Sequence, residues 1–364
     1  MDIWFLTIVL TLSLAGFLIF LSASMSMMTR GSVNLSSIMM TQIIALVLGI
    51  GLLFLFSNIY YRFWRKYSII IFALTIFISL LVFIPGLGIT SGGATRWLDL
   101  GFASLQPAEF LKLGFVIYCA AWLSGILTKI QKITFGLIPL MIIIAALSII
   151  LLLQKDTGSL IIIAVAGSAM FFAAGARWRD MAVLGAVGVA GLVILIKKRP
   201  YISERFITHF NTLLGREVDA QVEGFQSGQS LIAVGSGDWF GRGFGQSIQK
   251  FSFLPEAATD SIFAVAAEEL GFIGASLIVI AFTLLVWRGI VIALRSQDNF
   301  ARLLVIGIVI MFITQAFIHI AGMIQIFPLS GTPLPFISLG GTALLMCLAA
   351  SGIVLNVSRY TKSK

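Results

Sequence analysis

Residues 3–22 read IWFLTIVLTLSLAGFLIFLS, a run of twenty residues without a charged side chain. A helix of this length extends about 30 Å, which matches the hydrocarbon thickness of a bilayer. The run is too long for the apolar part of a signal peptide, and Asp2 stands where a cationic segment is expected. It therefore predicts a membrane-spanning helix, and nine similar runs follow. They lie at residues 39–58, 67–84, 107–124, 135–153, 157–174, 181–197, 261–288, 301–325 and 338–357.

The composition of the whole chain agrees with a membrane protein. Of the 364 residues, 59% are hydrophobic and only 11% are charged, whereas soluble domains carry about 25% charged residues. So few charges cannot give a chain of this length a surface that water solvates. This excludes a soluble enzyme, a disordered chain and a nucleic-acid-binding module. The formal net charge of +9 is then a matter of membrane orientation and no evidence for nucleic acid as a partner.

The basic residues of the loops predict the orientation of the chain. With the N-terminus on the cytoplasmic side, the inner loops hold thirteen Lys and Arg residues and the short outer loops hold three. This bias follows the positive-inside rule, and a missed or invented span would reverse it. We therefore predict an all-α polytopic membrane protein with ten transmembrane helices and both termini cytoplasmic. One large extracytoplasmic loop is expected between helices seven and eight, at about residues 198–260.

Two charged residues lie inside the fourth predicted span, where a charge costs about 2.5–3.5 kcal/mol. Pro107 suits the first helical position, and Glu109 follows in the first turn, where the helix dipole favours an anion. Lys112 is three residues further and shares a face with Glu109. Two interpretations stay open: an ion pair at a helix start, or a charged pair that lines an outward-facing cavity and meets an anionic ligand.

The eighth span begins after Thr259 and Asp260, and its apolar pattern covers 28 residues. This corresponds to about 42 Å of helix against a hydrocarbon core of about 30 Å. Roughly eight residues should therefore protrude. If they protrude on the outer side, Glu268 and Glu269 lie near the interface and Asp260 lies above it. Thr259 or Asp260 is either a helix cap or part of a functional site.

Two glycine-containing segments are expected to be packed turns. SGDWFGRGFGQS at 236–247 has neither a preceding strand nor GK[ST], so it is no nucleotide-binding loop, and its glycines predict a close-packed turn. Residues 330–341 carry no charge and two prolines, which predicts a buried or re-entrant turn that lines a cavity. His319 in the ninth span is expected to be packed and hydrogen-bonded, and the sequence has no metal-binding spacing.

The residues alone leave three classes of function open. A transporter or flippase would place Glu109, Lys112 and Asp156 along a path for substrate or protons. An enzyme that acts on a lipid-linked substrate at the outer face would take a general base from the acids of the long loop. A non-catalytic scaffold is the third class. Acidic residues lie mainly on the predicted outer side, and the centres of most spans carry none, which favours the enzyme.

Several segments along nearly the whole chain resemble the SEDS family of shape, elongation, division and sporulation proteins (FtsW/RodA/SpoVE type). The most specific is GFQSGQSLIAVGSGDWFGRGFGQSIQKFSFLPEAATDSIFAVAAEELGFIG at 224–274. The others are SAS at 22–24, TRWLDLGFASLQPAEFLKL at 95–113, QKDTGS at 154–159 and GTPLPFISLGG at 331–341. The resemblance implies a single membrane domain over residues 1–364 with ten helices and a large outer loop after the seventh.

The resemblance implies a peptidoglycan glycosyltransferase in the bacterial cytoplasmic membrane that polymerises lipid II, the undecaprenyl-linked disaccharide-pentapeptide. A lipid II flippase is the alternative function. The implied partners are a class B penicillin-binding protein and other membrane proteins of the divisome or elongasome. The family's catalytic aspartate falls on Asp260, the expected general base. The residues expected to bind substrate, the cationic ones by stabilising the departing diphosphate, are Glu109, Lys112, Arg96, Asp156, Arg205 and Lys250.

Two further expectations concern the metal and the turns. A divalent cation, magnesium or manganese, would bind through the substrate's phosphates, since the sequence shows no dedicated site. The chain also departs from the family's usual pattern, with Lys155 in the place of Pro and Leu339 in the place of Tyr.

Overall fold

The computed structural model describes residues 1–29, 35–91, 94–99, 101, 104–214 and 222–361, which form a largely helical molecule with one small sheet. Its helices are α1 (Ile3–Thr29), α2 (Leu35–Asn58), α3 (Arg62–Lys66), α4 (Ser68–Leu81), α5 (Pro107–Gly125), α6 (Leu137–Leu153), α7 (Thr157–Ala173), α8 (Trp178–Lys198), α9 (Pro200–Leu213), α10 (Val222–Ser236), α11 (Gln249–Ser252), α12 (Ile262–Arg295), α13 (Asn299–Met323) and α14 (Gly341–Arg359). Its strands are β1 (Gly88–Ser91), β2 (Ala94–Asp99) and β3 (Ser104–Leu105).

Each predicted span coincides with a helix of the structure. Among the described residues, seven helices are long and apolar enough to cross a membrane, namely α1, α2, α5, α8, α12, α13 and α14. The helices at the three other predicted spans, α4, α6 and α7, are apolar but have only 14, 17 and 17 residues. The chain is thus a multi-pass helical protein, and the count of ten spans stays a prediction.

The structure adds a sheet between α4 and α5, so the expectation of an all-α chain is wrong there. β1 and β2 form an antiparallel hairpin, and β3 pairs with the other edge of β2. The β-branched residues Thr90 and Thr95 share a side-chain hydrogen bond of 3.0 Å across the hairpin, a pairing typical of neighbouring strands. These strands have only two to six residues, and a search for long apolar runs cannot find them.

The centre of the bundle is formed by α5, α13 and α14, most of whose residues are buried. α13 contacts α5, α7, α12 and α14. Its approach to α5 depends on Gly307, because a Cβ there would lie 2.6 Å from Val116 Cγ1. α8, in contrast, exposes nearly all of its residues. Elements attached to α5, α13 and α14 are therefore held more firmly than those attached to α8.

α12 is interrupted at Gly271, whose backbone is not helical (φ 69°, ψ −171°). The glycine-rich segment packs directly against this break, since a Cβ at Gly241 would lie 2.6 Å from the Gly271 nitrogen. The Gly243 N–H donates to the Glu269 carbonyl oxygen at 3.0 Å, which satisfies a polar group next to the break. The close-packed turn predicted from the glycines is confirmed.

The same packing surrounds two acids of α12. Glu268 and Glu269 are buried within the protein, at 0% and 3% exposure, and their depth relative to the outer interface stays a prediction. The Glu268 carboxylate accepts a hydrogen bond from the Ser247 hydroxyl, and Glu269 pairs with Lys250. The glycine-rich segment at 236–247 packs over both acids. The helical pattern of α12 alone does not predict this contact.

Residues 324–340, called the α13–α14 segment below, press against α1 at Gly16. A Cβ at Gly16 would lie 2.6 Å from Ile337 Cα. We expect Gly16→Ala to lower the midpoint of thermal unfolding in detergent by several degrees, because overpacking against backbone costs about 1–3 kcal/mol. Gly51→Ala in α2 is the matched control, since no atom lies within 4 Å of its Cβ position. Equal midpoints for the two variants would contradict the close contact.

Candidate active site

Asp260 lies immediately before α12, in a turn that begins at Pro255. The N-cap residue of this helix is Ser261, so neither Thr259 nor Asp260 caps it. The Thr259 hydroxyl instead donates to the Glu256 carboxylate at 2.8 Å. The half-buried Asp260 carboxylate therefore does not act as the N-cap of α12.

Two hydrogen bonds fix this turn to the α13–α14 segment. The Ser338 hydroxyl donates to the Thr259 carbonyl oxygen at 2.9 Å, and the Leu339 N–H donates to the Ala258 carbonyl oxygen at 2.9 Å. The Ser338 hydroxyl also accepts from the Leu334 N–H at 2.8 Å. The second half of the segment is non-helical and largely buried, which confirms the buried turn predicted there.

Arg96 approaches Asp260 from β2. Its Nε donates to the Gln154 carbonyl oxygen at 3.3 Å, and its Nη2 donates to the Lys155 carbonyl oxygen. Arg96 and Asp260 meet at Gly331, where a Cβ would lie 3.4 Å from Asp260 Oδ2 and 3.6 Å from Arg96 Nη1. Gly331 has a φ of 65°, a conformation that favours glycine, and its missing side chain leaves the space beside both groups open.

α9 adds a second cation and a phenol to the site. Arg205 lies close enough to Asp260 to lower the pKa of its carboxyl. The ring centroid of Tyr201, one turn earlier, lies 5.9 Å from Lys155 Nζ. Burial raises the pKa of the Tyr201 hydroxyl, and the positive charges of Arg205 and Arg96 act against this increase. Residues from β2, the α6–α7 turn, α9 and the start of α12 therefore converge on one polar site.

The electrostatic surroundings make Asp260 an unusually strong base for an aspartate. Burial and the neighbouring Glu256 carboxylate raise the pKa of Asp260 from 3.8 to about 6, while Arg96 and Arg205 act to lower it. A carboxyl of this pKa is mostly deprotonated at neutral pH and still accepts a proton readily. A base beside two guanidinium groups suits a reaction that removes a proton while negative charge develops nearby.

Asp156, predicted to bind substrate, is the N-cap of α7 and is buried. Its Oδ1 accepts from the Ser159 N–H at 2.9 Å, and its Oδ2 accepts from the Ser159 hydroxyl at 2.8 Å. Lys155 before it has a φ of 57°, which the ring of proline forbids. Lys155, which stands where the family usually has Pro, thus allows a turn that proline could not adopt. The carbonyl oxygens of this turn accept hydrogen bonds from Arg96.

Glu109 and Lys112 form an ion pair of 2.8 Å. Both side chains are buried, at 4% and 1% exposure. Lys112 Nζ also donates to Gln315 Oε1 of α13 at 2.7 Å, and Gln315 Nε2 donates to the Pro333 carbonyl oxygen at 2.9 Å. The pair is therefore connected to the α13–α14 segment through Gln315.

Lys250 is buried at 0% exposure between α1, the glycine-rich segment and α12. Its Nζ donates to Glu269 Oε1 at 2.6 Å, to Ser22 Oγ at 2.8 Å and to the Gly245 carbonyl oxygen at 3.0 Å. An ammonium group has three donors, and these contacts occupy all of them. The structure thus places Lys250 in an internal ion pair.

Three residues of the site have little or no signal in the sequence. Glu256 raises the pKa of Asp260, and the spacing of two acids in LPEAATD at 254–260 was the available signal. Tyr201 carries a weaker signal, a phenol among basic residues. Gly331 has none, because only the folded chain brings it beside Asp260.

Sequence comparison identifies close relatives of this chain. A family model described as "Cell cycle protein", named for FtsW, RodA and SpoVE, matches residues 3–363. The chain is 39% identical over 315 residues to stage V sporulation protein E of Bacillus subtilis, and the match covers 86% of this chain and 85% of that protein. It is 35% identical over 361 residues to the probable peptidoglycan glycosyltransferase FtsW of Geobacter sulfurreducens, with 99% and 96% covered.

Solved structures share the fold. A chain from a study of structural coordination of polymerization and crosslinking by a peptidoglycan synthase complex matches with a TM-score of 0.79 at 26% identity, over 98% of this chain and 97% of that one. The rod shape determining protein RodA of Thermus thermophilus matches with a TM-score of 0.72 at 24% identity, over 100% and 98%. The family resemblance is thereby confirmed, and this chain is a multi-pass bacterial membrane protein that belongs to the FtsW/RodA/SpoVE family.

Proposed function

We propose that this chain is a peptidoglycan glycosyltransferase that polymerises lipid II, with Asp260 as the general base. Relatives named probable peptidoglycan glycosyltransferase FtsW support this activity at the level of the family. The observation that carries the proposal in this chain is the meeting of Asp260 and Arg96 beside Gly331. Arg205, whose charge acts on Asp260, completes the arrangement.

The reaction joins two sugars in a single displacement. The 4-hydroxyl of the GlcNAc on the acceptor lipid II attacks the anomeric carbon of the donor. A new C–O bond forms there while the bond to the undecaprenyl diphosphate breaks, and Asp260 takes the proton of the attacking hydroxyl. Attack from the face opposite the leaving group inverts the α-linked donor into a β-linked product.

Negative charge grows on the diphosphate as it departs, and we assign Arg96 and Arg205 to it. Two backbone carbonyl oxygens already fix the Arg96 guanidinium, so it needs no reorganisation when the charge develops. No three His, Cys, Asp or Glu side chains within the described ranges come together as metal ligands. A magnesium or manganese ion, if the reaction uses one, would bind through the substrate's phosphates in this proposal.

The other residues predicted to bind substrate receive supporting roles in this proposal. Asp156 caps α7 and so stabilises the turn that holds Arg96. Lys250 stabilises the break in α12 through Glu269. Glu109 and Lys112 form an ion pair that holds Gln315 of α13.

The proposed arrangement in the membrane follows the positive-inside pattern. It has ten spans and cytoplasmic termini, which puts the segment at 198–260 and Asp260 on the outer side of the cytoplasmic membrane. A class B penicillin-binding protein is the proposed partner, together with membrane proteins of the divisome or elongasome. The match to a chain from a peptidoglycan synthase complex that coordinates polymerization and crosslinking supports this partner.

The contacts of the buried charges favour the enzyme over a lipid II flippase. Transport would require ionisable side chains that are available to substrate or protons inside the membrane. Glu109 and Lys112 instead bond each other and Gln315 within the protein. The base and the arginines gather at one end of the bundle, where α12 begins.

Asp260→Asn removes the base and keeps the volume of the side chain. We expect the rate of glycan-strand formation from lipid II, in liposomes with the partner present, to fall at least about 100-fold, because general base catalysis contributes about 10²–10⁴. The measurement is gel separation of labelled strands. Glu204→Gln, which removes an exposed carboxylate of α9 beside Arg205, is the matched control and should keep the rate of the wild type. Strand formation by Asp260→Asn at the rate of this control would rule out Asp260 as the base.

The raised pKa of Asp260 predicts an acidic limb in the pH profile of kcat/KM. The base acts when it is deprotonated, so activity is full above this pKa and is lost as the pH falls through about 6. Glu256→Gln removes the negative charge that helps to raise the pKa and should shift the limb to lower pH. Glu204→Gln should leave the limb in place. A limb that stays fixed or moves to higher pH in Glu256→Gln would contradict the effect of the neighbouring carboxylate.

A further inference from the structure

Two side chains of α13 hold one stretch of the α13–α14 segment. Gln315 Nε2 donates to the Pro333 carbonyl oxygen at 2.9 Å, and His319 Nδ1 lies 2.8 Å from the Thr332 carbonyl oxygen. Gln315 and His319 are four residues apart, so they share a face of the helix. Both are buried, which confirms the packed and hydrogen-bonded His319 predicted from the sequence. Two consecutive carbonyl oxygens of the segment are thereby anchored to the centre of the bundle.

The ion pair behind Gln315 decides which way its amide points. Lys112 Nζ has only donors, and it lies 2.7 Å from Gln315 Oε1. The amide nitrogen must then face the opposite side, where the Pro333 carbonyl oxygen can only accept. Glu109 holds Lys112 in place from 2.8 Å. The buried pair therefore fixes Gln315 as a donor to the segment.

The anchored stretch forms a wall of the site. Gly331, two residues before Pro333, has its Cβ position 3.4 Å from Asp260 Oδ2 and 3.6 Å from Arg96 Nη1. On its other side the stretch packs against α7, since a Cβ at Gly158 would lie 3.5 Å from Ser330 Cβ. A displacement of about 1 Å at a reacting centre costs about 100-fold in rate. The position of this wall thus bears directly on the chemistry at Asp260.

We infer that Gln315 is a positioning residue, which holds the Gly331 wall against Asp260 while the Glu109–Lys112 pair orients its amide. The inference rests on the proposed function, and it deepens it by giving the pair a role without contact to the substrate. The role requires only contacts within the protein. The Lys112 ammonium group sets the orientation of the Gln315 amide, and this amide sets the position of the Pro333 carbonyl group.

Gln315→Glu and Gln315→Met separate the two contacts of Gln315. Glutamate keeps an oxygen for Lys112 but has no donor for the Pro333 carbonyl oxygen, and methionine keeps the approximate volume without either contact. We expect both variants to lower kcat for lipid II polymerisation by about 10–100-fold with KM unchanged, because the reacting groups are misplaced and the binding groups are intact. We also expect faster amide hydrogen exchange in the peptide that covers 330–338, measured without substrate.

Gln42→Met is the matched control, since Gln42 is a similarly buried glutamine (2% exposed) in α2, and it should change neither readout. Wild-type kcat or wild-type exchange in Gln315→Glu would overturn the inference. If Gln315→Glu does not fold, kcat and amide hydrogen exchange in Gln315→Met decide whether the inference holds. Because exchange is measured without substrate, it reports the position of the wall even if Asp260→Asn proves active and the proposed base is wrong.

Discussion

In a membrane-embedded bundle, polar backbone groups must find partners within the protein, because hydrocarbon offers none. The α13–α14 segment, whose second half is non-helical and largely buried, meets this constraint through its contacts with α13 and with the turn before α12. Its carbonyl oxygens at Thr332 and Pro333 are met by α13, and its Ser338 hydroxyl bonds the turn before α12. The position of Asp260, the proposed base, depends on these bonds, since the segment that α13 holds also bonds the turn that contains Asp260.

The surroundings of Lys112 and Lys250 differ from those of Asp260. Lys112 and Lys250 each bond a carboxylate and further oxygen atoms at 2.6–3.0 Å, so their charges are compensated inside the protein. Removal of one partner from such a pair costs about 3–5 kcal/mol. At Asp260 burial is the dominant effect, and it raises the pKa of the carboxyl to about 6. The two lysines therefore have their charges compensated within the fold, whereas the Asp260 carboxyl has the raised pKa that suits its proposed role as a base.

Sequence patterns predict the parts of this molecule that are determined by residues close together in the chain. Long apolar runs predict the membrane helices, and the family resemblance implies roles for Asp260, Arg96 and Arg205, which the fold brings together. The sheet and the α9 helix escape this kind of prediction, because short mixed segments resemble loops. Gln315 escapes it as well, because it is uncharged and its partners come from distant parts of the chain. For Lys250 the sequence leaves its partner undetermined, since a charge alone does not reveal that the ammonium group pairs with Glu269 of α12.

The two sides of the site differ in how they are held. Arg96 is hydrogen-bonded to the α6–α7 turn, and the residues that follow Gly331 are hydrogen-bonded to α13. Arg205 is carried by α9, which continues from the exposed helix α8, and an element with few packed neighbours is displaced at low energetic cost. In the proposed reaction, a glycan that lengthens by one disaccharide in each cycle must slide out of the site. We expect the site to widen for this step on the side of α9, because α8, from which α9 continues, buries few of its residues.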